Sequence, residues 1–186
     1  MEKILINDLS FAYPDEPNRL IIKDINLEIE QGEFVCLLGQ SGCGKSTLLK
    51  LLAGLQKPSQ GEITIDGDPI KGASLERTVV FQDYGLFPWM TAGENILLAL
   101  QQKYPKQPKK ELKNRAMEML KQVGLDESVY KKLPKELSGG MKQRCAIARS
   151  LGVDAPILLM DELLLVLGPK VDLLDLSLMG NLEGAC

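Results

Sequence analysis

Gly39, Gly44, Lys45 and Ser46 stand in the order G-x-x-x-x-G-K-S within GQSGCGKST, residues 39–47. Glycines at those places let a loop wrap a phosphate with its backbone N–H groups, and a helix beginning near Gly44 adds its positive dipole end. Gln40, Ser41, Gly42, Cys43 and Thr47 complete the loop. Lys45 is spaced to reach the β- and γ-phosphates of a nucleotide, and the Ser46 hydroxyl to ligate Mg2+. A glycine turn that merely caps a helix is the plain alternative. An apolar stretch before the loop and a leucine-rich stretch after it supply the strand–loop–helix setting that nucleotide binding needs.

A second chemical feature lies far downstream. The apolar run ILLM, residues 157–160, ends in Asp161 and Glu162. Burying carboxylates costs several kcal/mol, roughly 2–7 even for neutral polar groups, unless a cation or hydrogen bond meets them. Alone, the pair reads as a strand end meeting water. With a phosphate loop upstream, Asp161 suits Mg2+ held through a water, and Glu162 suits polarising the water that attacks a γ-phosphate. ATP and Mg2+ are therefore the expected cofactors. The chain has no histidine, which removes imidazole acid–base chemistry and histidine triads.

The elements that must position these groups follow from periodicity. ILINDLSFAY and INLEI read as strands, and FVCLL, residues 34–38, as a strand buried on both faces. TLLKLLAGL reads as a helix stopped by Gly54. EITIDGDPI reads as a strand entering an Asp66-Gly67 turn, and TVVFQ as another strand. Helical texture begins near residue 91. In ELKNRAMEMLKQVG, positions 112, 116, 119/120 and 123 form one apolar stripe closed by Gly124. LSGGMKQRCAIARSL starts a further helix, and ILLM is a buried strand. This order predicts an α/β core with a parallel sheet and a helical insertion over roughly 91–150.

At 186 residues the chain has room for one domain with a core. Its 45% hydrophobic and 25% charged residues are ordinary for a globular protein. A net charge of −3 gives no electrostatic reason to expect nucleic acid. No apolar run approaches the ~18 residues of a membrane span, and MEKILINDL lacks the pattern of a signal peptide. Cys36, Cys43, Cys145 and Cys186 are dispersed, which fits a reducing cytoplasm better than a disulfide or zinc framework. The basic stretch KYPKQPKKELKNR reads as a solvated face and is assigned no function.

LSGGMKQR, residues 137–144, sharpens the picture. Ser138 can cap a helix there, with the N–H groups of Gly139 and Gly140 at its positive end. Placed between the phosphate loop and the Asp161-Glu162 strand, this string resembles the signature of ATP-binding cassette (ABC) ATPases. The resemblance runs from residue 1 to about 162. It implies a P-loop NTPase core with a parallel sheet, an N-terminal antiparallel β-subdomain and an α-helical insertion. The subdivision expected from it is 1–90 for the phosphate-loop core with the β-subdomain, 91–150 for the helical part and 151–162 for the Asp-Glu strand, with 163–186 a divergent tail.

The same resemblance implies that Ser138, Gly139 and Gly140 meet the γ-phosphate held by a second subunit, in a homodimer with ATP at its interface. It implies that Gln82 senses Mg2+ and the attacking water, and that Lys45, Gln82 and Glu162 carry catalysis. Tyr13 stands where the family stacks an aromatic ring on adenine; Phe11 is a possible substitute, and plain packing of Tyr13 is an open alternative. The region Gln82–Ile96 is where the family receives a helix of a membrane permease. Phe87, Trp89 and Met90 are either anchors for it or buried between subdomains. The flavour of these segments is most similar to importers of the nitrate, sulfonate and taurine type. That implies an ATPase subunit powering solute import from the inner face of the cell membrane. A nucleotide-binding module without turnover is the alternative. Soluble ABC proteins acting on DNA or ribosomes carry coiled coils, zinc modules or paired cassettes, none of which is visible.

After Glu162 the family pattern breaks. Leu163 replaces a proline, Gly168 stands where an aspartate belongs, and no histidine follows. The expectation is that the last core strands are missing. Residues 163–186 then come from a shifted reading frame or a sequence error, or else mark a genuine short variant.

Overall fold

A computed structural model describes residues 3–161, which fall into two compact units, one running to Ser74 and the other starting at Leu75. Glu162 and the expectations placed on residues 163–186 lie outside the described residues.

The first unit is built on β1 (Ile4–Ala12), β2 (Leu20–Ile29), β3 (Gln60–Ile65) and β4 (Asp68–Pro69), an antiparallel sheet in the order β2-β1-β3-β4. The central strand β1 buries Ile4, Ile6, Leu9 and Phe11. Register shifts around Asp8, which has φ 46°, break its strict alternation, so Leu9, Ser10 and Phe11 are all buried. Between β3 and β4, Asp66 and Gly67 take φ 53° and 85°, the paired left-handed geometry that a two-residue hairpin turn requires. Helix α1 (Lys45–Leu52) buries Thr47, Leu48, Leu51 and Leu52 and ends before Gly54, at φ 74°. Any side chain at Gly54 would strike the Gly72 carbonyl, 2.3 Å from the added carbon, so glycine is required there.

One expected element is not formed. Residues 34–38 belong to no strand, and Phe34 and Leu38 are 61% and 71% exposed. The apolar pattern predicts cover on both faces, but a pattern does not supply neighbours, and the segment is mostly exposed. The described strands of this unit all pair within the antiparallel sheet.

In the second unit β5 (Arg77–Val80) pairs in parallel with β6 (Ile157–Met160), with Val80 opposite Met160. This is the parallel sheet expected from the strand–helix order. Between the two strands in sequence lie α2 (Ala92–Lys103), α3 (Lys109–Gln122) and α4 (Gly139–Val153), with short 3-10 turns at Glu127–Lys131 and Pro134–Glu136. Their shared core holds Ile96 and Leu100 from α2, Leu112 and Leu120 from α3, and Cys145 and Ala148 from α4. The α3 stripe is the one read from sequence, closed by Gly124 at φ 71°. None of the described helices is long and apolar enough to cross a membrane.

Candidate functional site: a phosphate loop and a strand-end cluster

The phosphate loop lies wholly in the first unit. Cys43 N donates to Gln40 O at 3.3 Å, which closes the bend. Gly42 and Gly44 have φ 85° and 100°, a region that disfavours L side chains. Gly44 is also the residue preceding α1, and a side chain there would press on Ile21 O at 3.1 Å. Its carbonyl accepts from Leu48 N at 2.8 Å and so starts the helix. Lys45 turns back over the loop: Nζ donates to Gly39 O at 2.8 Å and Gln40 O at 3.0 Å, and lies 3.7 Å from Cys43 Sγ. Ser46 is exposed beside it, as are Gln40, Ser41 and Cys43.

Tyr13 and Thr47 meet from opposite ends of this unit's sequence, with Tyr13 Oη 3.2 Å from Thr47 Oγ1. The Tyr13 ring also contacts Phe11 edge-on, at 5.0 Å between centroids and an interplanar angle of 81°. Thr47 is buried, with its hydroxyl against Tyr13, while its neighbour Ser46 is exposed.

Of the remaining sequence candidates, the second unit brings Gln82 and Asp161 to the carboxyl ends of β5 and β6. Asp161 follows β6 directly, and its N–H donates to Val80 O at 2.9 Å. Gln82 lies two residues beyond the end of β5, in a turn closed by Tyr84 N donating to Phe81 O at 2.9 Å. The parallel pairing thus brings Gln82 and Asp161, far apart in sequence, to one end of one sheet, where open α/β sheets place their ligand chemistry.

Ser138 caps α4. Its Oγ accepts from Met141 N at 3.3 Å, and its carbonyl accepts from Lys142 N at 2.9 Å. Gly139 and Gly140 are then the first two helical residues, whose N–H groups no helical carbonyl can satisfy.

Three residues that sequence reasoning passed over organise this cluster. Asn95 is 1% exposed. Its Oδ1 accepts from Phe87 N at 2.7 Å, while Nδ2 donates to Phe87 O, Met90 O and Thr91 O at 3.2, 3.1 and 3.0 Å. Arg149 of α4 donates to Gly85 O at 2.6 Å and Tyr84 O at 3.1 Å. Burial lowers the Arg149 pKa from its ordinary value, and the Asp83 carboxylate opposes that shift. Tyr84 itself has φ 65°. The available signal was a polar residue on an apolar helix face: Asn95 falls three after Ala92, and Arg149 is set in CAIARSL.

Phe87 and Trp89 lie on the segment Asn95 holds, with ring centroids 5.5 Å apart. Trp89 is 73% exposed and Phe87 39%.

Fold and site together define a nucleotide-binding cassette of the P-loop NTPase type, with an antiparallel β-sheet and a helical insertion, as the sequence led one to expect. The chain belongs to the ABC transporter family, whose model matches residues 22–164 and so runs through Asp161 and Glu162. It is 47% identical over 153 residues to the nitrate import ATP-binding protein NrtD of Synechococcus elongatus, a match covering 82% of this chain and 55% of that one. It is 41% identical over 160 residues to the bicarbonate transport ATP-binding protein CmpD of the same species, covering 86% and 57%. Among solved structures it resembles the ATP-binding cassette MJ0796 in a dimeric post-hydrolysis state bound to ADP and Pi. That likeness has a TM-score of 0.81 at 35% identity and covers 90% of this chain and 77% of the other. The chain thus spans about half the length of these two curated relatives.

Proposed function

We propose that this chain is the ATP-binding and ATP-hydrolysing subunit of a solute importer, working as a homodimer beneath a membrane permease. The observation that carries the reading is the loop 39–47: left-handed glycines at 42 and 44, a helix starting at Lys45, and the Lys45 ammonium held over the bend. The names of the similar nitrate and bicarbonate import proteins support transport of a small anion.

The residues present fit a nucleotide and its magnesium. Lys45 Nζ is engaged by main-chain carbonyls at the loop's mouth, a position from which it can exchange them for phosphate oxygens. Among the described residues no group of three or more His, Cys, Asp or Glu side chains could hold a metal. A magnesium ion carried by substrate phosphates needs only one or two protein ligands, and Ser46 and Asp161 are of the right type. Gln82 accompanies Asp161 at the sheet end, and Glu162 is the proposed group that orients water. The magnesium would offset phosphate charge as the γ-phosphoryl group leaves.

In this reading Gly39, Gln40, Ser41, Gly42, Cys43, Gly44, Lys45 and Ser46 contact phosphate, Thr47 does so through its main-chain N–H because its hydroxyl is engaged by Tyr13, and Tyr13 lies beside the base. Ser138, Gly139 and Gly140 complete the site of the partner subunit. Residues 1–90, 91–150 and 151–162 serve as core with β-subdomain, helical subdomain and Asp-Glu strand. The permease contact is Gln82–Ile96, where Phe87 and Trp89 are exposed. The chain then works in the cytoplasm at the inner face of the membrane, without nucleic acid.

The test is ATP binding and phosphate release by the purified chain, beside Lys45→Ala and Glu162→Gln. Lys45→Ala should lose binding, and Glu162→Gln should bind but not turn over. Binding without phosphate release in the parent chain, unchanged by Glu162→Gln, would instead assign a nucleotide-binding module without turnover. Absence of binding refutes the reading altogether.

A further inference from the structure

The turn that carries Gln82 is strained and held from one side. Tyr84 and Gly85 are successive left-handed residues, at φ 65° and 53°. Glycine takes this geometry freely, but a bulky aromatic residue there is an outlier that persists only when its surroundings over-determine it. The surroundings in question belong to α4. Arg149 spans the two carbonyls of the strained pair with two different guanidinium nitrogens, Nη1 to Gly85 and Nη2 to Tyr84. Such a planar fork fixes orientation as well as distance, which a lysine ammonium cannot do. The Tyr84 side chain reaches the other end of the same helix: a methyl group in place of the Gly139 hydrogen would lie 3.5 Å from the Tyr84 hydroxyl. The turn 81–85 is therefore bonded to α4 at Arg149, 64 residues beyond Gly85 in sequence, and lies close to the first residue of that helix.

We infer that Arg149 and Tyr84 are positioning residues that latch the Gln82 turn to the helix opened by Ser138-Gly139-Gly140, so that glutamine and signature glycines are displaced together. A hydrolytic site needs the glutamine in place when the signature glycines of a second subunit arrive. A latch makes the placement of one depend on the other within each subunit. The functional half of this inference rests on the reading of Gln82 and Ser138–Gly140 given above; the mechanical half stands on the contacts alone.

The test combines hydrogen exchange of the nucleotide-free chain with kinetics, using Arg149→Lys, which keeps charge and stem but loses the fork. Exchange should quicken about tenfold in residues 81–86, as expected for losing one charge-assisted hydrogen bond. It should change little in the phosphate loop and in α3. ATP affinity should stay within about twofold while kcat falls about tenfold, because the lost contact acts on the placement of Gln82 and not on the phosphate loop. Tyr84→Asn, which tolerates a left-handed backbone, should leave residues 81–86 protected but quicken exchange at the start of α4. If Arg149→Lys does not fold, this second variant and its exchange pattern decide alone. Uniform acceleration across residues 92–153, or none in 81–86, would overturn the latch as a packing contact without positioning consequence. Loss of ATP binding in the parent chain would overturn the proposed function while the exchange result still decided the latch.

Discussion

Replacing Asn95 tests whether one buried amide organises the exposed segment 87–91. Asn95→Ala removes four hydrogen bonds, but not all count equally. Phe87 O still accepts from Met90 N at 3.1 Å, and Thr91 O still accepts from Asn95 N at 2.9 Å. The penalty falls on Phe87 N–H and Met90 O, at about 1–1.5 kcal/mol each, for a total of ~2–3 kcal/mol. That is a large share of a typical stability of ~5–15 kcal/mol. Asn95→Asp is the sharper variant. It keeps an acceptor for Phe87 N–H but turns a carboxylate oxygen toward three carbonyls. Near neutral pH it should therefore be less stable than Asn95→Ala. A protonated carboxyl can donate as the amide did, so this environment raises the new group's folded pKa above its unfolded value. Its contribution is then full below the unfolded value and is lost as pH rises through the folded one. Urea unfolding at pH 7.5 and at pH 5, read by circular dichroism with equal m-values, measures both effects. An Asp variant as stable as the Ala variant at pH 7.5, or a gap that does not narrow at pH 5, would refute the donor role of the amide.

Three further outcomes follow from single contacts. Gly93→Ala should destabilise by ~1–3 kcal/mol or more, since the added carbon would fall 2.3 Å from ring atoms of Tyr130; a thermal melt against wild type checks this. Burial pushes the Cys145 thiol up to about 11. In the native chain at pH 7.5 a maleimide should label exposed Cys36 and Cys43 but not Cys145, as read by peptide mass spectrometry. Because the unfolded thiol ionises near ~8.5, the stability Cys145 contributes is complete below that pH and is lost as pH rises toward 11. Ser138→Ala should cost ~1 kcal/mol through loss of the α4 cap, whereas Ser138→Asp should restore stability yet depress ATP hydrolysis, because a carboxylate faces the expected phosphate. Melting temperature and phosphate release, measured on both variants, separate the two roles.

The amino-acid sequence by itself determined whatever depends on a few consecutive residues. Left-handed glycines at 42 and 44, the Ser138 cap, the Asp66-Gly67 hairpin and the α3 stripe all arise from backbone sterics and helix periodicity, which act over one or two turns. The tertiary structure alone decided which strands find neighbours. It left residues 34–38 unpaired despite their apolar pattern, and it brought Gln82 and Asp161 together by pairing Val80 with Met160. It likewise decided that Asn95 and Arg149 bind main-chain carbonyls. Their place on apolar helix faces sets them apart from solvated residues, but nothing nearby in sequence names the carbonyls they bind. Hydrogen-bond partners and sheet neighbours are chosen by competition among distant segments, each needing burial and satisfied backbone groups, and that competition is resolved only when the chain has folded.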